Sequence, residues 1–186
     1  MPLYRYLILE LEKIYPTLPN IIVLLELGFS GMSFSEEEIK NLKQLLEVEK
    51  IRSLRMKYNQ LIDSRDLSQL VNLFTSDGIC EFGPYGSWKG RGEIYKNYLE
   101  VFEDNWMHKF SSMHYNTNHL VDLIDDHSAR GTCYLLDIDA RKSPKENPLI
   151  WLAFYDETYV KVDQEWKISK SAINFVWPER ILSSLE

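Results

Sequence analysis

Hydrophobic residues recur at three- and four-residue steps between Ile39 and Ile62, and charged residues occupy much of the remaining surface of that segment. This period is that of an amphipathic α-helix. The preceding stretch, Ser35-Glu36-Glu37-Glu38, has the form of a capping box, in which a serine and a glutamate satisfy the free N–H groups at a helix start. We therefore predict a long helix that begins after Ser35 and ends at Asp63.

Two shorter helices are predicted further along. Asp66 can cap a short helix that carries leucines and Phe74, and the polar stretch 76–78 is expected to break it. A strand at 79–82 and a glycine- and proline-containing turn follow. The segment after Gly92 again spaces its apolar residues as a helix does.

The second half of the chain has the pattern of a β-meander. Four segments, 113–124, 129–139, 150–161 and 166–177, are rich in aromatic and β-branched residues and are separated by polar connections. Short connections favour antiparallel hairpins. Helices followed by a run of strands indicate an α+β domain. We expect a strongly curved antiparallel sheet that wraps over the long helix and leaves a pocket between them.

The first 31 residues differ from the rest. Their two short apolar runs are separated by Pro16 and Pro19 and contain acidic residues, which is not the pattern of a secretory signal. One interpretation is an extra helix or strand docked on the domain. The interpretation favoured here is that translation normally begins at Met32, with residues 1–31 an extension and residues 32–186 a single domain.

Charge and hydropathy exclude several classes of partner. The chain has 21 Lys and Arg against 28 Asp and Glu, a net charge of −7, so its field repels a nucleic-acid backbone. No apolar run approaches the roughly 18 residues of a membrane span. We expect a cytoplasmic protein with neither a nucleic-acid nor a membrane partner.

The absence of common catalytic and nucleotide-binding motifs narrows the range of reactions that the chain could catalyse. Neither a phosphate-binding glycine loop nor a G-x-S-x-G nucleophile elbow is present. His114 and His119 are an odd number of residues apart and would point to opposite faces of a strand, which argues against a histidine metal site. Asp137 and Asp139 share a face but lack an evident third ligand. The sequence therefore predicts no metal site.

Four residues form a more promising set. Tyr58 lies on the apolar stripe of the long helix, and Asp63 ends it. The polar turn at 125–127 would pair the two strands on either side of it so that His114 stands directly opposite Asp137. A histidine beside a carboxylate can act as a general base, and a tyrosine hydroxyl can donate to a developing oxyanion.

Each of these residues also has a purely structural interpretation. Tyr58 could be core, Asp63 a helix-end cap, His114 a hydrogen-bonded structural histidine and Asp137 a solvated carboxylate. Tyr58 and Asp63 would also be about 140° apart on an ideal helix. They converge only if the helix ends at Asp63 or the pocket wraps around it.

Much of the chain resembles the SnoaL-like branch of the nuclear-transport-factor-2-like (NTF2-like) superfamily. The resemblance extends over 36–177, and the matching segments are 49–52, 58–63, 73–78, 88–91, 113–118, 129–131, 154–157 and 166–168. It implies a cone-shaped, barrel-like fold with one deep pocket, usually without a cofactor. Relatives include scytalone dehydratase, bile acid 7α-dehydratase, hexachlorocyclohexane dehydrochlorinase, ketosteroid isomerase and polyketide cyclases.

The resemblance also implies roles for individual residues. Tyr58, Asp63, His114 and Asp137 match the dehydratase pattern and are the expected catalytic residues. Scytalone dehydratase has a second strand histidine where this chain has Asp137, so the pattern is closer to the bile acid enzyme. Asn174 is a further candidate for binding substrate.

The expected function is therefore a cofactor-independent lyase, of the dehydratase type, acting on a small apolar cyclic molecule. An isomerase or a cyclase would use the same residues. A non-catalytic alternative is a ligand-binding or assembly module similar to the β subunit of ring-hydroxylating dioxygenases. Aromatic residues on both faces of the last strands predict a homodimer or homotrimer that associates through the outer face of the sheet.

Overall fold

The computed structural model describes residues 34–83, 86–102, 111–139 and 149–177. The predictions for residues 1–31 lie outside this part of the chain. The described residues up to Lys50 and those from Ile51 onward form two units, which are considered separately.

Helix α1 spans Glu36–Asp63 and begins with the predicted capping box. The Ser35 hydroxyl accepts the backbone N–H of Glu38 at 3.2 Å, and the Glu38 carboxylate accepts the backbone N–H of Ser35 at 2.8 Å. From Ile51 onward the helix buries one face, which carries Arg55, Asn59 and Asp63 as well as apolar residues. Polar groups are thereby brought into the interior by the same stripe that anchors the helix.

The C-terminus of α1 is closed by a Schellman motif with an arginine in an unusual place. The N–H of Asp66 donates to the Leu61 carbonyl at 2.9 Å, and that of Arg65 donates to the Ile62 carbonyl at 3.1 Å. Arg65 has φ 63°, the left-handed conformation that glycine usually supplies at this position. An L-residue there costs on the order of 1 kcal/mol. The motif reverses the chain into α2, Leu67–Leu70, which Asp66 caps as predicted.

A six-stranded sheet forms the rest of the architecture. After a single 3-10 turn, Val71–Leu73, come β1 (Phe74–Glu81), β2 (Ser87–Lys89), helix α3 (Arg91–Phe102), β3 (Ser112–Leu123), β4 (Ser128–Asp139), β5 (Leu149–Val162) and β6 (Glu165–Trp177). The strand order is β2-β1-β6-β5-β4-β3. The predicted α+β fold is confirmed, and the sheet is open, with β2 and β3 as its edges among the described strands.

Two details differ from the sequence-based expectation. The sheet is mixed, because β1 pairs in parallel with β6 while the other neighbours are antiparallel. Strand β1 also runs through residues 76–78, where a break was expected, and the register with β6 shifts between Phe74 and Ile79. Pairing with β6 is interrupted after Phe74 and resumes at Ile79, so the turn-forming residues lie in a locally irregular part of the strand.

The long hairpins follow the predicted meander. The β5–β6 connection is a tight turn in which both Asp163 and Gln164 have positive φ, the conformation that matches the twist of a two-residue hairpin. Between β3 and β4, His114 stands directly opposite Asp137, as the sequence predicted.

Candidate functional site

A cavity of about 510 Å³ lies within the unit that begins at Ile51. Aromatic side chains form a large part of its wall, and they are Phe82, Trp88, Tyr98, Phe102, Trp151, Tyr155 and Phe175. Polar side chains come from the C-terminal end of α1, from the start of β3, from the end of β4 and from α3; they are Arg65, Ser112, His114, Asp137, Asp139, Asn97 and Glu100. The volume and the mostly apolar wall are those of a small-molecule site.

His114 is held in one orientation by the end of α1. Its Nδ1 lies 2.6 Å from Oδ1 of Asp63, and its backbone N–H donates to Oδ2 of the same carboxylate at 3.1 Å. The carbonyl of His114 accepts the side-chain amide of Asn59 at 3.1 Å. A carboxylate that accepts the Nδ1 proton leaves the lone pair of a neutral imidazole on Nε2, where it is available to a ligand in the cavity.

Asp137 faces the other nitrogen of the same ring. Its Oδ2 lies 3.8 Å from Nε2 of His114, and both side chains are about nine-tenths buried. That separation is longer than a hydrogen bond but short enough for a strong electrostatic effect. Once Nε2 is protonated, the imidazolium therefore has a carboxylate on each side.

Tyr58 occupies a different place from the one expected. It is completely buried behind the cavity, and its hydroxyl makes a short hydrogen bond with the hydroxyl of Tyr98. Tyr98 is the tyrosine of this pair that lines the cavity. Burial raises the pKa of both hydroxyls well above the usual range, so both remain protonated at neutral pH and can donate.

Asn174 does not join the site. Its side chain is exposed, and its cross-strand partner Phe154 is exposed as well. The neighbouring residues Ile173 and Phe175 are the ones that line the cavity. Because successive side chains of a strand point to opposite faces, Asn174 lies on the outer face of the sheet.

The sequence did not indicate that Tyr98, Asp139 and Arg65 belong to the site, although all three line the cavity. Tyr98 fits the apolar spacing of α3, and Asp139 shares a strand face with Asp137, so neither stands out in the sequence as a catalytic residue. Arg65 follows Asp63 by two residues, and its entry into the cavity depends on the Schellman turn rather than on a helical period. The available signal in the sequence was the absence of a glycine just after the predicted end of α1, because that position of a Schellman motif is usually a glycine.

Beneath the cavity lies a second polar cluster built on a buried ion pair. Nη1 of Arg55 lies 3.0 Å from Oε1 of Glu157, and both side chains are 1% exposed. The Arg55 guanidinium carbon lies 4.2 Å from the ring centroid of Tyr58 and 3.7 Å from that of Tyr155, within the range of cation–π interactions. Arg55 therefore supports one tyrosine of the cavity wall and the tyrosine behind it.

Two hydroxyl groups complete the hydrogen bonding of the Glu157 carboxylate. Ser171 and Tyr159 both donate to Glu157, and the Tyr159 oxygen lies 3.3 Å from Nε2 of His119. Burial is the main cause that lowers the pKa of His119 to about 4. The nearby charge of Glu157 partly offsets this shift, and the positive charges of Arg55 and Arg52 add to it. His119 is thus neutral at physiological pH.

The described ranges are 34–83, 86–102, 111–139 and 149–177. Within these ranges no group of three or more His, Cys, Asp or Glu side chains is placed to hold a metal ion. None of the helices in the same ranges has the length and apolar character needed to cross a membrane.

Comparison with known families places the chain. A family model described as a SnoaL-like domain matches residues 43–172. The chain belongs to the SnoaL-like family. That family lies within the NTF2-like superfamily, so the resemblance inferred from the sequence is confirmed. A sequence comparison with curated proteins found no match.

Solved structures with the same fold are numerous and distant in sequence. A candidate scytalone dehydratase from Novosphingobium aromaticivorans is 21% identical, with a TM-score of 0.64 over 77% of this chain and 97% of that one. An NTF2-like protein with a cystatin-like fold from the same organism is 17% identical, with a TM-score of 0.63 over 80% and 94%. ActVI-ORFA from Streptomyces coelicolor is 18% identical, with a TM-score of 0.59 over 68% and 95%. At these identities the similarity establishes the fold of this SnoaL-like protein.

Proposed function

We propose that this SnoaL-like protein is a cofactor-independent lyase that eliminates water, or a comparable leaving group, from a small cyclic and largely apolar substrate. One observation carries the proposal. His114 is bound through Nδ1 and its backbone N–H to one buried carboxylate, and the ring lines an aromatic cavity. Such a pair is a general base with a fixed tautomer and orientation.

The proposed reaction begins with proton removal. Nε2 of His114 takes a proton from a carbon of the bound ring, and the electron pair of that C–H bond forms a C=C double bond to the neighbouring carbon. The C–O bond on that neighbour breaks, and its electrons leave with the oxygen. Asp63, 2.6 Å from Nδ1, and Asp137, 3.8 Å from Nε2, stabilise the imidazolium that forms.

The departing oxygen needs a proton to leave as water. Tyr98 lines the cavity and its hydroxyl is bonded to that of Tyr58, so the two form a chain of donors. Tyr98 is accordingly assigned the role that the sequence gave to Tyr58. At the end of the cycle the imidazolium of His114 releases its proton to solvent and Tyr98 takes one up from solvent, so the net change is the loss of one water from the substrate.

The cavity wall supports the assignment of substrate class. Edge-to-face packing holds Trp88 against Phe82 and Tyr98, with ring centroids 5.0 and 5.1 Å apart. Rigid aromatic surfaces of this kind bind flat or cyclic apolar molecules well. The neighbouring structures named as a candidate scytalone dehydratase and as a candidate dehydratase from Streptomyces avermitilis have the same fold and are consistent with this proposal.

The test is to incubate the protein with a panel of cyclic β-hydroxy ketones and to measure by mass spectrometry whether each compound loses one water. We expect turnover by the wild type and a decrease of about 10²–10⁴-fold in His114→Ala, the range that general-base catalysis supplies. His127 is exposed in the β3–β4 turn, so His127→Ala is the matched control and should retain full activity. Tight binding of the panel with no elimination by the wild type would instead identify a ligand-binding module.

A further inference from the structure

Arg65 occupies a backbone position that would suit glycine better. It has φ 63° at the end of α1, and its side chain is 4% exposed and forms part of the cavity wall. Residues held in a sparsely populated conformation cluster at binding and catalytic sites, where the surrounding structure maintains them. The conformation here directs a guanidinium group toward the cavity.

The guanidinium is fixed by contacts on several sides. Nη1 donates to the Ile62 carbonyl at 2.6 Å, and Nη2 lies 3.3 Å from Oγ of Ser111 and 3.2 Å from Oγ of Ser112. Its central carbon lies 3.8 Å from the ring centroid of Phe102, which also lines the cavity. Arg65 is therefore a preorganised cation rather than a mobile surface side chain.

The charge pattern of the wall makes Arg65 distinctive. Among the described residues that line the cavity, it is the only lysine or arginine, whereas Asp137, Asp139 and Glu100 contribute carboxylates. Ser112, which also lines the cavity, accepts a hydrogen bond from Arg65, so its own hydroxyl proton is directed elsewhere. Arg65 and Ser112 together form a donor site in a wall whose other charges are acceptors.

We propose that Arg65, with the hydroxyl of Ser112, anchors a neutral carbonyl oxygen of the substrate and so determines how the ring lies against His114. This inference rests on the proposed elimination. Ser112 and His114 are two residues apart on β3, or about 7 Å. The anchored oxygen then lies roughly one six-membered ring away from the proton to be removed. A neutral carbonyl fits better than a carboxylate, because Asp137 and Asp139 share the wall and repel an anion.

The experiment measures binding without turnover. The probes are cyclohexyl methyl ketone, cyclohexanecarboxylate and ethylcyclohexane. The readout is the change in intrinsic tryptophan fluorescence, to which the cavity residues Trp88 and Trp151 contribute. We expect the wild type to bind the ketone in preference to the hydrocarbon. Arg65→Met should weaken ketone binding by about tenfold, the value of one good hydrogen bond, and should change hydrocarbon binding by less than about twofold.

Two further variants separate recognition from folding. Arg65→Gly removes the guanidinium and supplies the residue that the turn favours, so it should keep a cooperative melt and lose ketone binding like Arg65→Met. Arg130 lies on β4 with an exposed side chain, and Arg130→Gln should bind all three probes as the wild type does.

The contrary outcomes are distinct. Equal weakening of ketone and hydrocarbon binding in both Arg65 variants would make Arg65 purely structural and overturn the inference. A loss confined to cyclohexanecarboxylate would overturn the choice of a neutral carbonyl. A wild type that does not distinguish ketone from hydrocarbon would also overturn the inference, yet elimination by the wild type and its loss in His114→Ala would still support the lyase.

Discussion

His114 and Asp63 are joined twice, once through the imidazole Nδ1 at 2.6 Å and once through the backbone N–H at 3.1 Å. One carboxylate therefore fixes both the ring and the strand that carries it. The contact links the last residue of α1 to the start of β3, so the position of the base depends on where the helix ends.

The double contact predicts strongly coupled mutations. Asp63→Asn should decrease elimination by about 10²–10⁴-fold, because an amide no longer favours the imidazolium that forms as the proton moves. The double variant with His114→Ala should be little worse than the worse single variant, since residues that act as a unit are not additive. Rates on each variant, with a thermal melt to confirm folding, provide the measurement. Additive losses would contradict a shared role.

The tyrosine pair predicts unequal effects of two matched substitutions. Tyr98→Phe removes the hydroxyl assigned to the substrate and should lower kcat by about 10-fold or more. Tyr58→Phe removes only the hydroxyl behind it and should cost less in rate. A larger loss in Tyr58→Phe than in Tyr98→Phe would reverse the assignment. Because both changes leave a buried hydroxyl without its partner, each should lower the free energy of unfolding by about 1–3 kcal/mol.

His119 predicts a pH dependence of stability. Burial lowers its pKa to about 4 in the folded protein, from an ordinary value of 6.5. The unfolded chain therefore binds the proton first as pH falls, and stability is lost between about pH 6.5 and pH 4. With allowance for solvent around this half-buried side chain, the loss is on the order of 2 kcal/mol.

The measurement compares urea unfolding at pH 7 and pH 4.5. His119→Gln cannot titrate, so it should lose less stability across this interval than the wild type. Carboxylates also titrate between these two pH values, in the wild type and in every variant. The exposed His127→Gln variant is the matched histidine control, and it should keep the pH dependence of the wild type because His119 is intact. An identical pH dependence in wild type and His119→Gln would contradict the expectation.

The outer face of the sheet predicts self-association as a dimer or trimer. Large side chains on neighbouring strands are well exposed there: Tyr134 at 58%, Leu152 at 44%, Phe154 at 38% and Trp177 at 56%. Tyr134 stands opposite Phe154, and Leu152 opposite Trp177, so they form one patch. Contiguous apolar surface of this kind marks an interaction site.

Sedimentation at micromolar concentrations tests this patch. Tyr134→Glu should shift the protein toward the monomer, since a charge would be buried in the interface. Met56→Glu changes an equally exposed residue on α1 and should leave the distribution unchanged. A wild type that is monomeric throughout would contradict the prediction.

Local patterns were enough to predict most elements, and the capping box located the start of α1. The turn between β3 and β4 brought His114 close to Asp137, but their exact pairing also depends on a register shift between Thr117 and Leu120, which has no signature in the sequence. The parallel pairing of β1 with β6 joins distant segments and has no local signature.

The misplaced candidates show the same limit. The face on which Asn174 lies depends on the register of β6, which shifts between Thr158 and Tyr159 of its partner strand before Asn174 is reached, and a shift of one residue reverses the face. Tyr58 was expected in the cavity, but Tyr98 from α3 lies between Tyr58 and the cavity. A helical period shows which face of one helix is apolar, but it cannot predict how separate helices pack together.

The parallel pairing of β1 with β6 has a consequence for synthesis on the ribosome. Strand β1 carries the hairpin to β2 and is joined to the rest of the sheet only through the last described strand. The aromatic side chains of Phe82 and Trp88 therefore meet Ile173 and Phe175 only after β6 has left the exit tunnel. Contacts so far apart in sequence form late and slowly. Until then the nascent chain exposes a half-built apolar cavity, the kind of surface that chaperones bind.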